Sequence, residues 1–208
     1  MTCKVYFAGE LFDHKHLIGN RLLGDAIAAA SGGRYLPVLP QETEPPEQRA
    51  LSIRDHDFRM LLECQAAIFN FDGTDLDSGT VVEFMTAKML DLPAVLIRSD
   101  FRQCGDQGPD GDPWNLMCSG YPRTAALGFN AMEVYQRHLA AAEQTAELIA
   151  GVYGELAGKI IAALDGVAAQ APLYSKTELD TVYRQVVKAL GGGLDITPEQ
   201  RRDYVAAR

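Results

Sequence analysis

Short apolar runs alternate with longer stretches of helical periodicity over the first 130 residues. Residues 4–8, 35–39, 66–71 and 94–97 are apolar-rich runs bounded by turn residues. Between them, segments 17–30, 52–64 and 80–90 repeat apolar positions at three- and four-residue intervals. Short buried strands alternating with amphipathic helices predict βαβ units and a parallel sheet. A fifth strand is predicted over 124–129. The expectation is an α/β domain over residues 1–130, built as a doubly wound, flavodoxin-like parallel sheet.

The pattern changes at both ends of that fifth strand. Before it, GDQGPDGDP (residues 105–113) is a loop by composition. After residue 130 the chain reads as helix, with Leu148, Ile149, Val152, Leu156 and Ile160 at helical spacing. Ser175 and Glu178 form a capping box ahead of a stripe of Leu179, Val182, Tyr183, Val186, Val187 and Leu190. That helix runs into Gly191-Gly192-Gly193, and a last one is predicted from Thr197-Pro198, a cap followed by proline at the first helical position. Residues 131–208 are therefore expected to form a helical C-terminal region, either packed on the sheet or placed at a subunit contact.

Composition narrows the partners. Hydrophobic residues make up 47% of the 208 and charged residues 23%, the balance of a soluble globular protein. A net charge of -9 argues against nucleic acid and anionic membranes as partners, since both need clustered Lys and Arg. No run approaches the ~20 apolar residues of a membrane span. The opening MTCKVYFAGELF enters a strand without a basic, then apolar, leader. Cys3, Cys64, Cys104 and Cys118 form no CxxC pair, and His14, His16, His56 and His138 do not cluster. Reduced thiols, a cytoplasmic location and no metal or organic cofactor are expected.

In an open α/β sheet, ligands bind beyond the carboxyl ends of the strands. There the third strand runs into DGTDLDSGTVVEF, residues 72–84, the most polar of the strand exits. Glu83 has two readings. Thr80-Val81-Val82-Glu83 matches a capping box, yet Asp72, Asp75 and Asp77 crowd the same helix end, more than a cap requires. On a helical wheel for 52–64, Asp57 falls among Ile53, Met60, Leu61 and Cys64, whereas Asp55, His56, Arg59 and Glu63 point to the solvent side. A carboxylate on an apolar arc must be hydrogen-bonded, paired or neutralised by a raised pKa. Asp57 is thus either a loop-binding carboxylate or a general acid.

VYFAG at the start, Asp57, DSGTVVE and WNLM together resemble the nucleoside 2-deoxyribosyltransferase family, over roughly residues 5–117. The resemblance implies that Glu83 is the nucleophile and Asp57 the acid/base. It implies that Tyr6 holds the nucleophilic carboxylate through its hydroxyl, and that Asp77 binds the sugar hydroxyls. Gly9, Asp72 and Gly79 fall in the same motifs and are carried over as substrate-binding positions. Asn115 matches an asparagine that reaches a neighbouring subunit's site, so a homo-oligomer, a dimer-built hexamer, is implied. An aromatic residue that some members set against the base is Leu11 here. Arg98 and Arg102 have two readings, a 5'-phosphate contact or pairing with Asp100.

The activity implied is exchange of nucleobases on 2'-deoxyribonucleosides by a retaining, two-step displacement through a deoxyribosyl ester on Glu83. Deoxynucleosides and free bases are then the partners, in purine and pyrimidine salvage. Two alternatives stand on the same kind of fold, the first of them using the same Glu83 and Asp57. One is an N-glycosidase acting on deoxynucleosides or their 5'-monophosphates, with water as acceptor. The other is a nucleotide-sensing module that binds without reacting.

Overall fold

The computed structural model describes residues 2–43, 50–102, 105–108 and 111–208. Five strands, β1 (Cys3–Ala8), β2 (Tyr35–Val38), β3 (Ala66–Asn70), β4 (Ala94–Arg98) and β5 (Thr124–Gly128), form one sheet in the order β2-β1-β3-β4-β5. Every pairing is parallel. The helices are α1 (His14–Ala30), α2 (Ala50–Glu63), α3 (Ser78–Met89), α4 (Ala131–Leu139), α5 (Thr145–Ala168), α6 (Lys176–Leu190) and α7 (Pro198–Ala206). This is a doubly wound, flavodoxin-like α/β fold with additional C-terminal helices. The winding reverses between β1 and β3, so the two strands that open the crevice are neighbours.

Alternation along β1 and β3 assigns each side chain to one of two cores. Val5 and Phe7, with Ala66 and Ile68, face a layer made of α1 and α5, where Leu23, Ile27, Leu156, Ile160 and Leu164 meet them. Tyr6 and Ala8, with Ala67 and Phe69, face the opposite layer, where Phe58 and Leu61 of α2 and Phe84 of α3 are buried. Leu179 and Tyr183 of α6, Val205 of α7, and Leu194 and Ile196 between those helices complete the second core. Phe84 sits edge-on to Phe69, Phe71 and Tyr121 at ring separations of 5.3, 5.8 and 5.3 Å, which fixes α3 against the sheet.

The capping residues act as the sequence predicts in the last two helices. Ser175 and Glu178 form a reciprocal capping box, and Thr197 and Gln200 form another, with Pro198 in the first turn. The reading of α2 needs correction at two positions. Asp55, expected to face solvent, is 7% exposed, and Ile53, expected on the apolar arc, is 45% exposed. The cause is distant in sequence. The loop after α6 folds over the first turns of α2, where the Gly193 amide donates to Asp55 Oδ2 at 2.6 Å and Arg54 pairs with Oδ1. Arg59 Nη1 donates to the Asp195 carbonyl at 2.7 Å and extends the same clamp.

Cys3, Cys64 and Cys118 are free thiols, and Cys104 lies outside the described residues. So do Glu44, Pro109 and Asp110 of the predicted loops. Among the described residues no helix is long and apolar enough to cross a membrane.

Candidate active site

At the crevice, β1 and β3 leave the sheet in close contact. A β-carbon on Gly9 would sit 3.0 Å from Asn70 Cβ, so any side chain there would press on Asn70. One turn deeper, Tyr6 points from β1 into the α2–α3 layer and is fully buried. Its hydroxyl donates to Glu83 Oε1 at 2.6 Å. Two elements 77 residues apart in sequence thus meet at one short hydrogen bond.

The carboxyls around that hydroxyl are held away from their ordinary behaviour. Burial pushes Glu83 up to about 7; the Tyr6 hydrogen bond opposes this, and the charges of Asp57 and Asp77 add to it. Asp57, half-buried on α2, is also raised, by burial, with His56 pulling the other way. The Tyr6 phenol is raised first by burial and then by Glu83, with Asp57 contributing. Burial therefore raises the proton affinity of both carboxyls, and Tyr6 and Glu83 each feel the charge of Asp57.

The start of α3 differs from the predicted capping box. The N-cap is Asp77, whose Oδ2 accepts from the Thr80 amide at 2.7 Å and the Thr80 hydroxyl at 2.8 Å. The helix begins at Ser78, so Glu83 lies in its second turn, beyond the reach of a cap. Aspartate outcompetes threonine here because its carboxylate also complements the helix dipole. A β-carbon on Gly79 would stand 3.1 Å from that same Oδ2, so glycine makes room for the cap. Asp77→Ala is expected to lose about 1 kcal/mol in urea unfolding while Asp77→Asn retains most of it. Equal losses would mean that the cap is not what Asp77 contributes.

Asp72 joins two strand exits. Its carboxylate accepts from the Ser99 amide at 2.5 Å, the Ser99 hydroxyl at 2.6 Å and the Asp100 amide at 2.9 Å, tying the end of β3 to that of β4. Asn70 Oδ1 accepts from the Asp72 amide at 3.1 Å, an Asx-type turn that sequence reading passed over although Asn at a strand exit is its usual signal. Arg98 is 2% exposed and donates to the Phe71 carbonyl at 2.6 Å. Arg102 pairs with Asp100, the second of its two readings.

Asn115 caps a 3-10 turn (Leu116–Cys118), its Oδ1 accepting from the Met117 amide at 2.9 Å. It lines a cleft of about 650 Å³ on the outer side of α3, with Asp75, Ser78, Val82 and Trp114, and that lining excludes Tyr6, Asp57 and Glu83. Within one chain, then, Tyr6 and Glu83 meet, the charges of Asp57 and Asp77 act on Glu83, and Asn115 faces outwards. Among the described residues no group of three or more His, Cys, Asp or Glu side chains is arranged to hold a metal ion.

The family model described as nucleoside 2-deoxyribosyltransferase matches residues 5–117. The fold is similar to that of a conserved protein from Enterococcus faecalis V583, at 20% identity and a TM-score of 0.50, covering 80% of this chain and 99% of that one. A 2-desoxiribosyltransferase from Leishmania mexicana aligns at 20% identity and a TM-score of 0.48, over 68% of this chain and 99% of its own. A 2-deoxyribosyltransferase from Bacillus psychrosaccharolyticus aligns at 16% and 0.46, over 70% and 95%. No curated protein matches the chain in sequence.

Proposed function

The chain belongs to the nucleoside 2-deoxyribosyltransferase family, whose model spans a little over half of it, and from that premise we propose that it exchanges nucleobases on 2'-deoxyribonucleosides. The observation that carries this reading is the part-buried 2.6 Å hydrogen bond from Tyr6 to Glu83, with a second carboxyl of raised proton affinity at Asp57. In the proposed first step Glu83 attacks the anomeric carbon, the bond to the base nitrogen breaks, and Asp57 gives its proton to the departing base. Tyr6 engages Oε1 and leaves Oε2 to attack. The second step runs in reverse. The incoming base attacks the deoxyribosyl ester, its N–H proton passes to Asp57, and Glu83 leaves as carboxylate, with net retention as in retaining glycosidases.

Asp77 has one oxygen, Oδ2, committed to the helix cap. Its other oxygen is the one assigned to a sugar hydroxyl. Asn115 is assigned to a neighbouring copy's site, supported by the 51% and 69% exposure of Leu116 and Met117 beside it. Sedimentation as a monomer at assay concentration would end that assignment.

The pH dependence follows from the pair. The working form carries one proton shared between Glu83 and Asp57, because the nucleophile must be ionised and the acid must not be. With Glu83 at about 7, one of the pair's two proton losses falls near neutrality, and burial raises the Asp57 proton affinity as well. A bell-shaped kcat/KM profile with one limb near pH 7 is expected. A rate that keeps rising to pH 9 would contradict the shared proton.

The direct test is chromatography of deoxyinosine with the purified protein, with and without adenine. Deoxyadenosine formed only when adenine is present establishes exchange. Hypoxanthine and free deoxyribose in equal amounts in both tubes would assign hydrolysis, and no turnover would leave a binding module.

A further inference from the structure

The opposite edge of the sheet, where the strands begin, encloses a separate cavity of about 410 Å³. Its wall includes Tyr35 and Tyr174, residues next to strand starts such as Gln65 and Pro93, and three cations, Arg123, Lys176 and Arg208. Asp91 is the one acidic side chain in that lining. Three cationic side chains against one acidic side chain stand out in a chain of net charge -9.

Arg123 is paired with Asp91, whereas Arg208 and Lys176 donate only to uncharged oxygens among the described residues. Nε and Nη1 of Arg208 are buried and have no hydrogen-bond partner, and Nε of Arg123 is in the same state. Nη2 of Arg208 reaches the Tyr183 hydroxyl at 2.5 Å, an uncharged acceptor. Lys176 Nζ donates to the carbonyls of Val205 and Ala206 at 2.7 and 3.2 Å, also uncharged. Asp91 Oδ2 is shared by Arg123 Nη1 at 2.6 Å and the Leu173 amide at 2.8 Å, while its Oδ1 is buried without a partner. A buried guanidinium with unmet N–H groups and no acidic side chain paired with it is costly unless an anion completes it. Water could accept the hydrogen bonds but would leave the charge uncompensated.

We propose that this cavity is a second ligand site, for a small organic phosphate. A phosphate oxygen meets the guanidinium forks in the geometry arginine favours. A protonated phosphate oxygen or a ligand hydroxyl supplies the donor for Asp91 Oδ1. The tyrosine rings and apolar wall suit a flat or apolar body, and the volume is that of a small-molecule site. The site lies at the end of the sheet away from Glu83 and does not depend on which reaction the carboxylates perform.

Phenyl phosphate, which has neither base nor furanose, is the probe of choice. Isothermal titration of the full chain is expected to show saturable binding, one per chain, with inorganic phosphate competing. Arg208→Gln is expected to weaken Kd at least tenfold without lowering the melting temperature of the free protein, since it removes a buried charge. Lys176→Glu, with folding verified by circular dichroism, is expected to weaken it comparably, and Glu83→Gln is expected to bind as wild type does. No saturable binding by the wild type, unchanged affinity in the folded Arg208 or Lys176 variants, or loss of binding in Glu83→Gln would each overturn the proposal.

Discussion

Glu83→Gln is expected to purify as a folded protein and to exchange bases at least a thousandfold more slowly than wild type. The amide keeps the shape of the side chain and still accepts from the Tyr6 hydroxyl, but it cannot form the ester through which transfer is proposed to pass. The substitution should not weaken the helix, because the cap of α3 is Asp77 and Glu83 lies in the second turn. It should even help. Glu83 is raised from 4.5 to about 7, so between those values the folded state holds a proton that the unfolded state has released. Stability therefore falls as pH rises through that window, by an amount on the order of 3 kcal/mol, and the full cost is present above pH 7. A neutral glutamine escapes it. Thermal melts should place Glu83→Gln at or above wild type at pH 8, and level with it at pH 4.5. Retained turnover, or a melting temperature several degrees lower at pH 8, would return Glu83 to a structural role.

Asp57→Asn should fail in a different way. A nucleobase leaves readily only when protonated, and asparagine has no proton to give, so turnover of deoxyinosine should drop by about 10²–10⁴. A substrate whose base is already cationic, such as 7-methyl-2'-deoxyguanosine, needs no acid to depart. Formation of the ester from that substrate should fall less than tenfold. The split between the two substrates is the diagnostic, read from the burst of released base in rapid-quench experiments. An equal loss on both would mean that Asp57 positions the sugar or the helix and does not deliver the proton.

Much of this architecture was legible because it is local. Strands of four to six residues and helices with repeating apolar faces declare themselves within a window, and the observed boundaries of β1–β5 differ from the expected ones by a residue or so. The C-terminal caps at Ser175 and Thr197 were readable for the same reason. Asp57 could be singled out because its polarity conflicts with its apolar neighbours, and Glu83 because more carboxylates than a cap requires crowd its helix end. What defeated sequence reading was either competition or distance. Thr80 and Asp77 both satisfy local rules for capping, and only the geometry of the helix start chooses Asp77. Asp55 looked solvent-facing because its partner, the Gly193 amide, lies 138 residues away. The basic cavity draws on residues from Cys3 to Arg208, and no window contains it.

The sheet separates two kinds of constraint. Tyr6, Asp57 and Glu83 all belong to the α2–α3 side, while the core shared by α1 and α5 contains none of the candidate residues. A change of side-chain volume under α1 or α5 must act through the rigid strands to reach the carboxyl pair, whereas one under α2 or α3 alters the pair's spacing and desolvation directly. Sequence drift can therefore proceed faster on one side of the molecule than the other. The α1–α5 layer has only to remain well packed, while the packing of the facing layer also sets the proton affinity of two carboxyls.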